Sequence, residues 1–347
     1  MTRTHKTLLV IFALLFSTLA CRAATNLILP DTPTPAPSST PTQAPSIPTF
    51  TLPPPTETVV FEAACPLVLD DIVDAAINYY PEFMEEGELE LYLVTYTIKD
   101  DRLDKRENMI GSSQVNEEQD ARATHEFIWD YIAAIIPREE REFVNEFSVS
   151  TDGPSEVLAA VGYSSGPQYW GLEVDIIDSG DPYSLTFTLL HEFGHLLTLN
   201  SDQVPPNRRV YYDPDNESVY NDAVESCPQY FPGEGCSNPD SYINEFFHRF
   251  WLDFYDEWLE IDFIEDEDEY YDGLDDFYFT YQDQFLTDYA ATSPEEDIAE
   301  TWSFFILSPK PEMDSIANEK ILFFYEYPEL VTLRVEILNR ICEAFPQ

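Results

Sequence analysis

Basic side chains are scarce in this chain. Lys and Arg number 17 against 66 Asp and Glu, a formal net charge of -49 over 347 residues. All but two of the acidic and all but three of the basic side chains lie in residues 61–347, so the imbalance belongs to the body of the protein. Such a field repels phosphate backbones and anionic lipid headgroups, which excludes nucleic acid as a partner. It suits cationic substrates or a solvated surface in salty surroundings, and the solvated surface is the favoured reading. Internal repeats are absent, and after the first 20 residues there is no second long apolar run. Histidine is sparse, with five in all, so the spacing between any two carries information. Aromatic residues are not lacking: at 14 % they exclude a disordered acidic protein. The length allows one large domain or two small ones.

C-x-x-C spacing is also missing, which argues against a cysteine-rich metal knuckle. Cys65, Cys227, Cys236 and Cys342 are even in number and read as two disulfides of an exported protein. Three pairings exist. The favoured one joins Cys227 to Cys236 across a Pro/Gly-bearing loop and Cys65 to Cys342 across the ends of the domain. Residues 1–20 read as a signal peptide, with Arg3, His5 and Lys6 ahead of an apolar stretch from Leu8 to Leu19. Thr18-Leu19-Ala20-Cys21 resembles the lipobox of bacterial lipoproteins, which implies acylation of Cys21 and a cell-surface location. Ordinary cleavage and free secretion is the alternative. Either way the protein is expected outside the cytoplasm, touching a membrane only through that N-terminal anchor. Residues 21–60 follow as a tether, dense in Pro, Thr and Ser from Pro30 to Pro55, extended and unable to bury a core.

The folded part, residues 61–347, predicts an α+β arrangement. Helices are expected over Leu67–Glu85 and Val115–Ile136, where apolar residues keep helical spacing. Strands are expected over Leu89–Ile98, Glu142–Val149, Val157–Tyr163 and Tyr169–Ile177. In the last, Leu172, Val174 and Ile176 share one face. Tyr242–Ile261 reads as one strongly aromatic helix. The acidic run Glu265–Asp276 offers Asp266, Asp268, Asp272, Asp275 and Asp276 as a calcium loop, but lacks the EF-hand order, so a solvated face is preferred.

The central stretch is Thr186–Asn200, which contains His191-Glu192-Phe193-Gly194-His195. Residues four apart on a helix lie on one face, so both imidazoles can reach one metal ion, with Glu192 placed as general base. Asp181-Pro182 is a suitable start and Asn200 a suitable stop. Leucines on nearly every side describe a buried helix, in which two histidines and a glutamate are costly unless something pairs with them. A catalytic zinc takes three protein ligands. No His follows at the spacing of a third imidazole ligand, and His248, inside the aromatic helix, reads as structural. A carboxylate is left. Glu296 and Glu300, four apart after the helix start Ser293-Pro294, are equal candidates on spacing, and a Ser293/Glu296 capping box competes.

Tyr289-Ala-Ala-Thr-Ser-Pro-Glu-Glu-Asp-Ile-Ala-Glu-Thr-Trp302, following His191-Glu-Phe-Gly-His195, resembles the catalytic domain of anthrax lethal factor and related gluzincin metallopeptidases. Ile298 and Trp302 stand where phenylalanines are common there, and the interval from His195 to Tyr289 is long enough to hold an insertion. The resemblance implies a zincin-like domain: a small mixed sheet, the H-E-x-x-H helix and a mainly helical C-terminal lobe. It implies one zinc ion held by His191, His195 and Glu296, with Glu300 supporting a ligand imidazole and Tyr289 aimed at the reacting oxygen. The expected activity is endopeptidase cleavage of a peptide or protein substrate lying along Trp170–Ile177 as an edge strand. A non-catalytic surface lipoprotein with the same scaffold, used for binding or adhesion, is the alternative.

Overall fold

Five strands form one mixed sheet in the order β2-β1-β3-β5-β4. They are β1 (Leu91–Lys99), β2 (Arg102–Asn108), β3 (Val144–Thr151), β4 (Ala159–Tyr163) and β5 (Trp170–Asp175). The structure is a computed structural model that describes residues 65–77, 91–109, 115–153, 157–233, 235–264 and 266–345. The leader at 1–20, Cys21 and the tether at 21–60 lie outside the described residues. β3 and β5 run parallel and every other pair is antiparallel. β5 shows the alternation read from its sequence: Trp170, Leu172 and Val174 are buried, while Gly171 and Glu173 are half-buried.

Strand β2 was not expected. Its sequence, Arg-Leu-Asp-Lys-Arg-Glu-Asn, carries one apolar residue, because it is an edge strand whose charges face water. The turn into it rests on Asp100 and Asp101, both at positive φ (51° and 67°), a conformation aspartate tolerates better than most residues. Arg141 clamps Asp101 with both guanidinium nitrogens, and the Trp129 indole donates to the Asp101 carbonyl at 3.2 Å.

The strand expected along the substrate is internal. β5 lies between β3 and β4, so the free edge on that side is β4. The cause is the short β4–β5 hairpin, which folds β4 back along the outside of β5.

The helices before the motif are α1 (Pro66–Ile77), α2 (Asn116–Asp120) and α3 (Arg122–Ile135). The expected helix over Leu67–Glu85 is described only to Ile77. The single helix expected over Val115–Ile136 breaks at Ala121. The break folds α2 onto β1, where Gln119 Nε2 donates to the Leu93 carbonyl at 2.8 Å. In α3, Trp129 packs on Phe147 of the sheet, and the Tyr131 hydroxyl meets Thr186 at 2.6 Å.

After the sheet come α4 (Pro182–Leu199), α5 (Arg208–Tyr212), α6 (Glu217–Ser226), α7 (Tyr242–Phe250), α8 (Tyr255–Asp262), α9 (Glu267–Tyr281), α10 (Pro294–Leu307), α11 (Ile316–Phe324) and α12 (Pro328–Ala344). The aromatic helix expected over Tyr242–Ile261 is thus two helices. The chain turns at Trp251, which is fully buried and donates its indole N–H to Asp297 at 2.7 Å. The acidic run is no calcium loop. Asp266 caps α9, and Asp268, Asp272, Asp275 and Asp276 are exposed along that helix. Helix α10 is the hub of this half, packing on α1, α4, α7, α11 and α12.

Both favoured disulfides are present, Cys65–Cys342 and Cys227–Cys236. They suit an oxidising, extracytoplasmic compartment. Among the described residues no helix is long and apolar enough to cross a membrane.

Candidate metal centre

Helix α4 begins and ends where its sequence indicated. The Asp181 carboxylate accepts from the Tyr183 N–H at 3.0 Å with Pro182 in the first turn. The Asn200 side-chain amide closes the other end by donating to the carbonyls of Leu196 and Leu197. Between the caps every residue from Leu189 to Leu199 is buried, His191, Glu192 and His195 included. The two imidazoles stand one turn apart with Nε2 atoms 3.0 Å from each other.

Helix α10 meets this face. The Ser293 hydroxyl accepts from the Glu296 N–H at 3.1 Å, so the serine half of the capping box forms. The Glu296 carboxylate points elsewhere: its Oε2 lies 2.9 Å from His191 Nε2 and 3.3 Å from His195 Nε2. His191, His195 and Glu296 therefore make a group of three donors that could hold a metal ion. Glu300 has a different task. Its Oε1 accepts from His191 Nδ1 at 3.0 Å, while its Oε2 accepts from the Thr287 hydroxyl at 2.8 Å. That contact fixes the ring so that Nε2 is turned toward the other two atoms of the group.

The close approach of the two helices requires a glycine. A Cβ on Gly194 would lie 2.9 Å from the Ala299 Cα. Below α10, the Asp297 carboxylate accepts from Lys320 Nζ at 2.6 Å as well as from Trp251, and both Asp297 and Lys320 are completely buried. Burial outweighs their attraction on each side, raising the aspartate's pKa and lowering the lysine's.

Charges in the group work against one another. Burial pulls the His191 imidazolium down, but the hydrogen bonds to Glu296 and Glu300 more than reverse this and hold it well above its ordinary value. For Glu296, burial raises the pKa, and the two histidines overcome it, leaving the carboxylate well below its usual range. Burial pushes Glu192 up to about 7 despite the neighbouring histidines. Tyr289, a residue 52 % exposed, lies in a 3₁₀ turn at the mouth of the group with its ring 5.6 Å from the His191 ring. Loss of water there, then the charges of Glu296, Glu192 and Glu300, holds the phenol well above its usual value.

The structure thus brings His191, Glu192, His195, Tyr289, Glu296 and Glu300 together, while His248 is exposed on α7. Thr287 was missed, because it reaches Glu300 from the turn ahead of α10 with no spacing that sequence could flag; the Asp297–Lys320 pair, on the other side of α10, was missed because its partners lie on different helices. A second cluster, Asp152, Asp175 and Asp178, lies between the ends of β3 and β5, with Asp175 accepting backbone N–H bonds from Asp152, Ile177 and Asp178. Comparison with known proteins finds no matching family model, no matching curated protein and no matching solved structure.

Proposed function

We propose that this protein is an extracytoplasmic zinc-dependent endopeptidase of the zincin type, with His191, His195 and Glu296 as metal ligands. The observation that carries this reading is the convergence of those three donor atoms, all within 3.3 Å of one another, beside a buried and otherwise unexplained Glu192. The donor chemistry fits. Two imidazole nitrogens and one carboxylate oxygen form a set typical of catalytic zinc, which leaves a fourth position open. The Glu300 contact to Nδ1 already fixes the His191 ring with Nε2 turned toward the other two donors, where a metal would take the place of the Nε2 proton. A zinc ion bound there supplies a Lewis acid and a water that ionises near neutral pH.

The chain's own residues supply the rest. Glu192, with a carboxyl poised near 7, is suited to hold the proton of the attacking water and move it to the leaving amine. Tyr289 keeps its phenol protonated, so its O–H can donate to the oxyanion of a tetrahedral intermediate. Free edge β4 offers backbone groups to an extended peptide beside Glu192, so the substrate strand is assigned to β4 in place of β5.

The test is Glu192→Gln, assayed with a broad peptide library and by metal analysis of the purified protein. The variant is expected to retain about one equivalent of zinc and to lose hydrolysis by at least ~10²-fold, the order expected for a general base. Hydrolysis surviving in Glu192→Gln removes that residue's role. Wild type with zinc bound and no peptide cleaved favours the non-catalytic binding reading instead.

A further inference from the structure

The β4–β5 ladder decides which backbone groups of β4 are available. Ser164 N–H donates to the Tyr169 carbonyl and Asp175 N–H to the Leu158 carbonyl, in the same register that pairs Val161 with Leu172. In an antiparallel pair the inward-bonding residues alternate, so residues 158, 160, 162 and 164 face β5. Ala159, Val161 and Tyr163 therefore direct their N–H and C=O groups outward. Strand β4 also packs against α4, the helix that carries Glu192.

Tyr163 is one outward step along from Val161, and its ring does not stand alone. It packs on Trp170 at 5.0 Å and edge-on against Tyr211 at 5.5 Å, and Tyr211 in turn meets the exposed Tyr212 at 5.0 Å. Tyr211 comes from α5, inside the long interval after the H-E-x-x-H helix, and its hydroxyl donates to the Ser164 carbonyl at 3.1 Å. The interval is built to hold α5 there. Asn207 caps α5, Pro206 bridges Gly235 of the Cys227–Cys236 loop, and Val210 packs with Tyr220 and Ala223 in a small core of their own. A side chain at Gly235 would collide with the Pro205 carbonyl, so the loop and the strap are fitted to each other.

We infer that Tyr163 and Tyr211 form a specificity subsite for an aromatic or branched aliphatic side chain of the bound peptide. This deepens the endopeptidase reading and rests on it. Directly opposed residues of neighbouring strands share a face with Cβ atoms about 5 Å apart, and aromatic pairs with aromatic or β-branched partners are the favourable ones. A peptide added to β4 in the more stable antiparallel sense places opposite Tyr163 a residue two positions before the one opposite Val161. The subsite therefore selects the second or third residue on the amino-terminal side of the cleaved bond.

The experiment uses the full chain with zinc and an oriented dodecapeptide library, comparing wild type with Tyr211→Ala and Tyr211→Phe. Wild type is expected to enrich Phe, Tyr, Leu and Ile at that position. Tyr211→Ala should lower kcat/KM about three- to tenfold more for peptides carrying Phe there than for peptides carrying Ala. Tyr211→Phe, which keeps the ring, should retain the preference. Equal loss for both peptide sets in Tyr211→Ala, or an unaltered preference, overturns the subsite while the endopeptidase reading stands. No cleavage of any peptide by zinc-loaded wild type overturns both. Near-ultraviolet circular dichroism of each variant separates a lost subsite from a lost fold, and a Tyr211→Ala chain that unfolds passes the decision to the Phe/Ala preference of Tyr212→Ala and Tyr163→Ala.

Discussion

Asp262 lies near the end of α8, 8 % exposed, and neither carboxylate oxygen has a hydrogen-bond partner among the described residues. Burial pushes its pKa from 3.8 up to about 7. Between those values the folded protein binds a proton that the unfolded chain does not. Stability therefore falls as pH rises through that window and levels off above about 7. Asp262→Asn removes the charge that burial opposes, so it should stabilise the protein on the order of 2–4 kcal/mol at pH 8 and have little effect at pH 4. Urea denaturation at both pH values checks this, and an equal effect at the two would refute it. Residues of this kind were invisible in the sequence, where Asp262 is one acid among 66. His191, Glu192 and His195 were legible because one helical turn relates them, so local spacing alone states their geometry. On spacing alone Glu296 and Glu300 were legible only as a pair, and it was the resemblance that implied Glu296 as the ligand. Which of them meets both imidazoles depends on how α10 sits against α4, a tertiary fact that spacing within α10 does not contain.

That packing is itself open to test. Gly194 faces Ala299 across the α4–α10 contact, and a methyl group there would press on backbone rather than on a movable side chain. Alanine would gain about 1 kcal/mol of helix propensity, but overpacking against a fixed helix costs about 1–3 kcal/mol. Gly194→Ala should therefore lower the melting temperature and, because α4 and α10 together carry all three donor atoms, weaken the proposed zinc binding in a chelator competition. Unchanged zinc affinity would mean that α10 yields without moving Glu296. The lower side of α10 is fixed by the buried Asp297–Lys320 pair. Lys320→Met strands a buried carboxylate and should cost about 3–5 kcal/mol by denaturant titration. Asp297→Asn combined with it should recover much of the loss, since the amide oxygen can still accept from Trp251. Additive losses in the double variant would show that the pair is not coupled. Among elements, the sequence disclosed β5 by its apolar alternation, α4 by its caps and the leucines on nearly every side, and α10 by its Ser293-Pro294 start. It hid β2, whose charges describe an edge, and it merged α7 with α8, because aromatic spacing continues through the turn at Trp251.

Across the whole molecule, the surface charge and the chain's closure act on different terms of stability. With 66 acidic and 17 basic side chains, the folded state is under self-repulsion that salt screens, so measured stability should be compared at one ionic strength. The two disulfides differ in what they restrain. Cys65–Cys342 joins residues 277 apart in sequence, from the start of α1 to α12, whereas Cys227–Cys236 closes a loop over a separation of 9. If cross-links act mainly by limiting the unfolded chain, stabilisation grows with the logarithm of loop length. The long closure should then contribute about 5 kcal/mol and the short one about 3 kcal/mol. The short bridge also holds the strap that carries Tyr211, so its loss should fall on local order as much as on global stability. Replacing each cysteine pair with serine and measuring guanidinium unfolding at fixed salt distinguishes these effects. Cys65→Ser/Cys342→Ser is expected to shift the global midpoint more, and Cys227→Ser/Cys236→Ser to raise amide exchange in α5 and α6 first. A larger global shift from the short bridge would show that the segment between α4 and α7, and not the closure of the chain ends, limits unfolding.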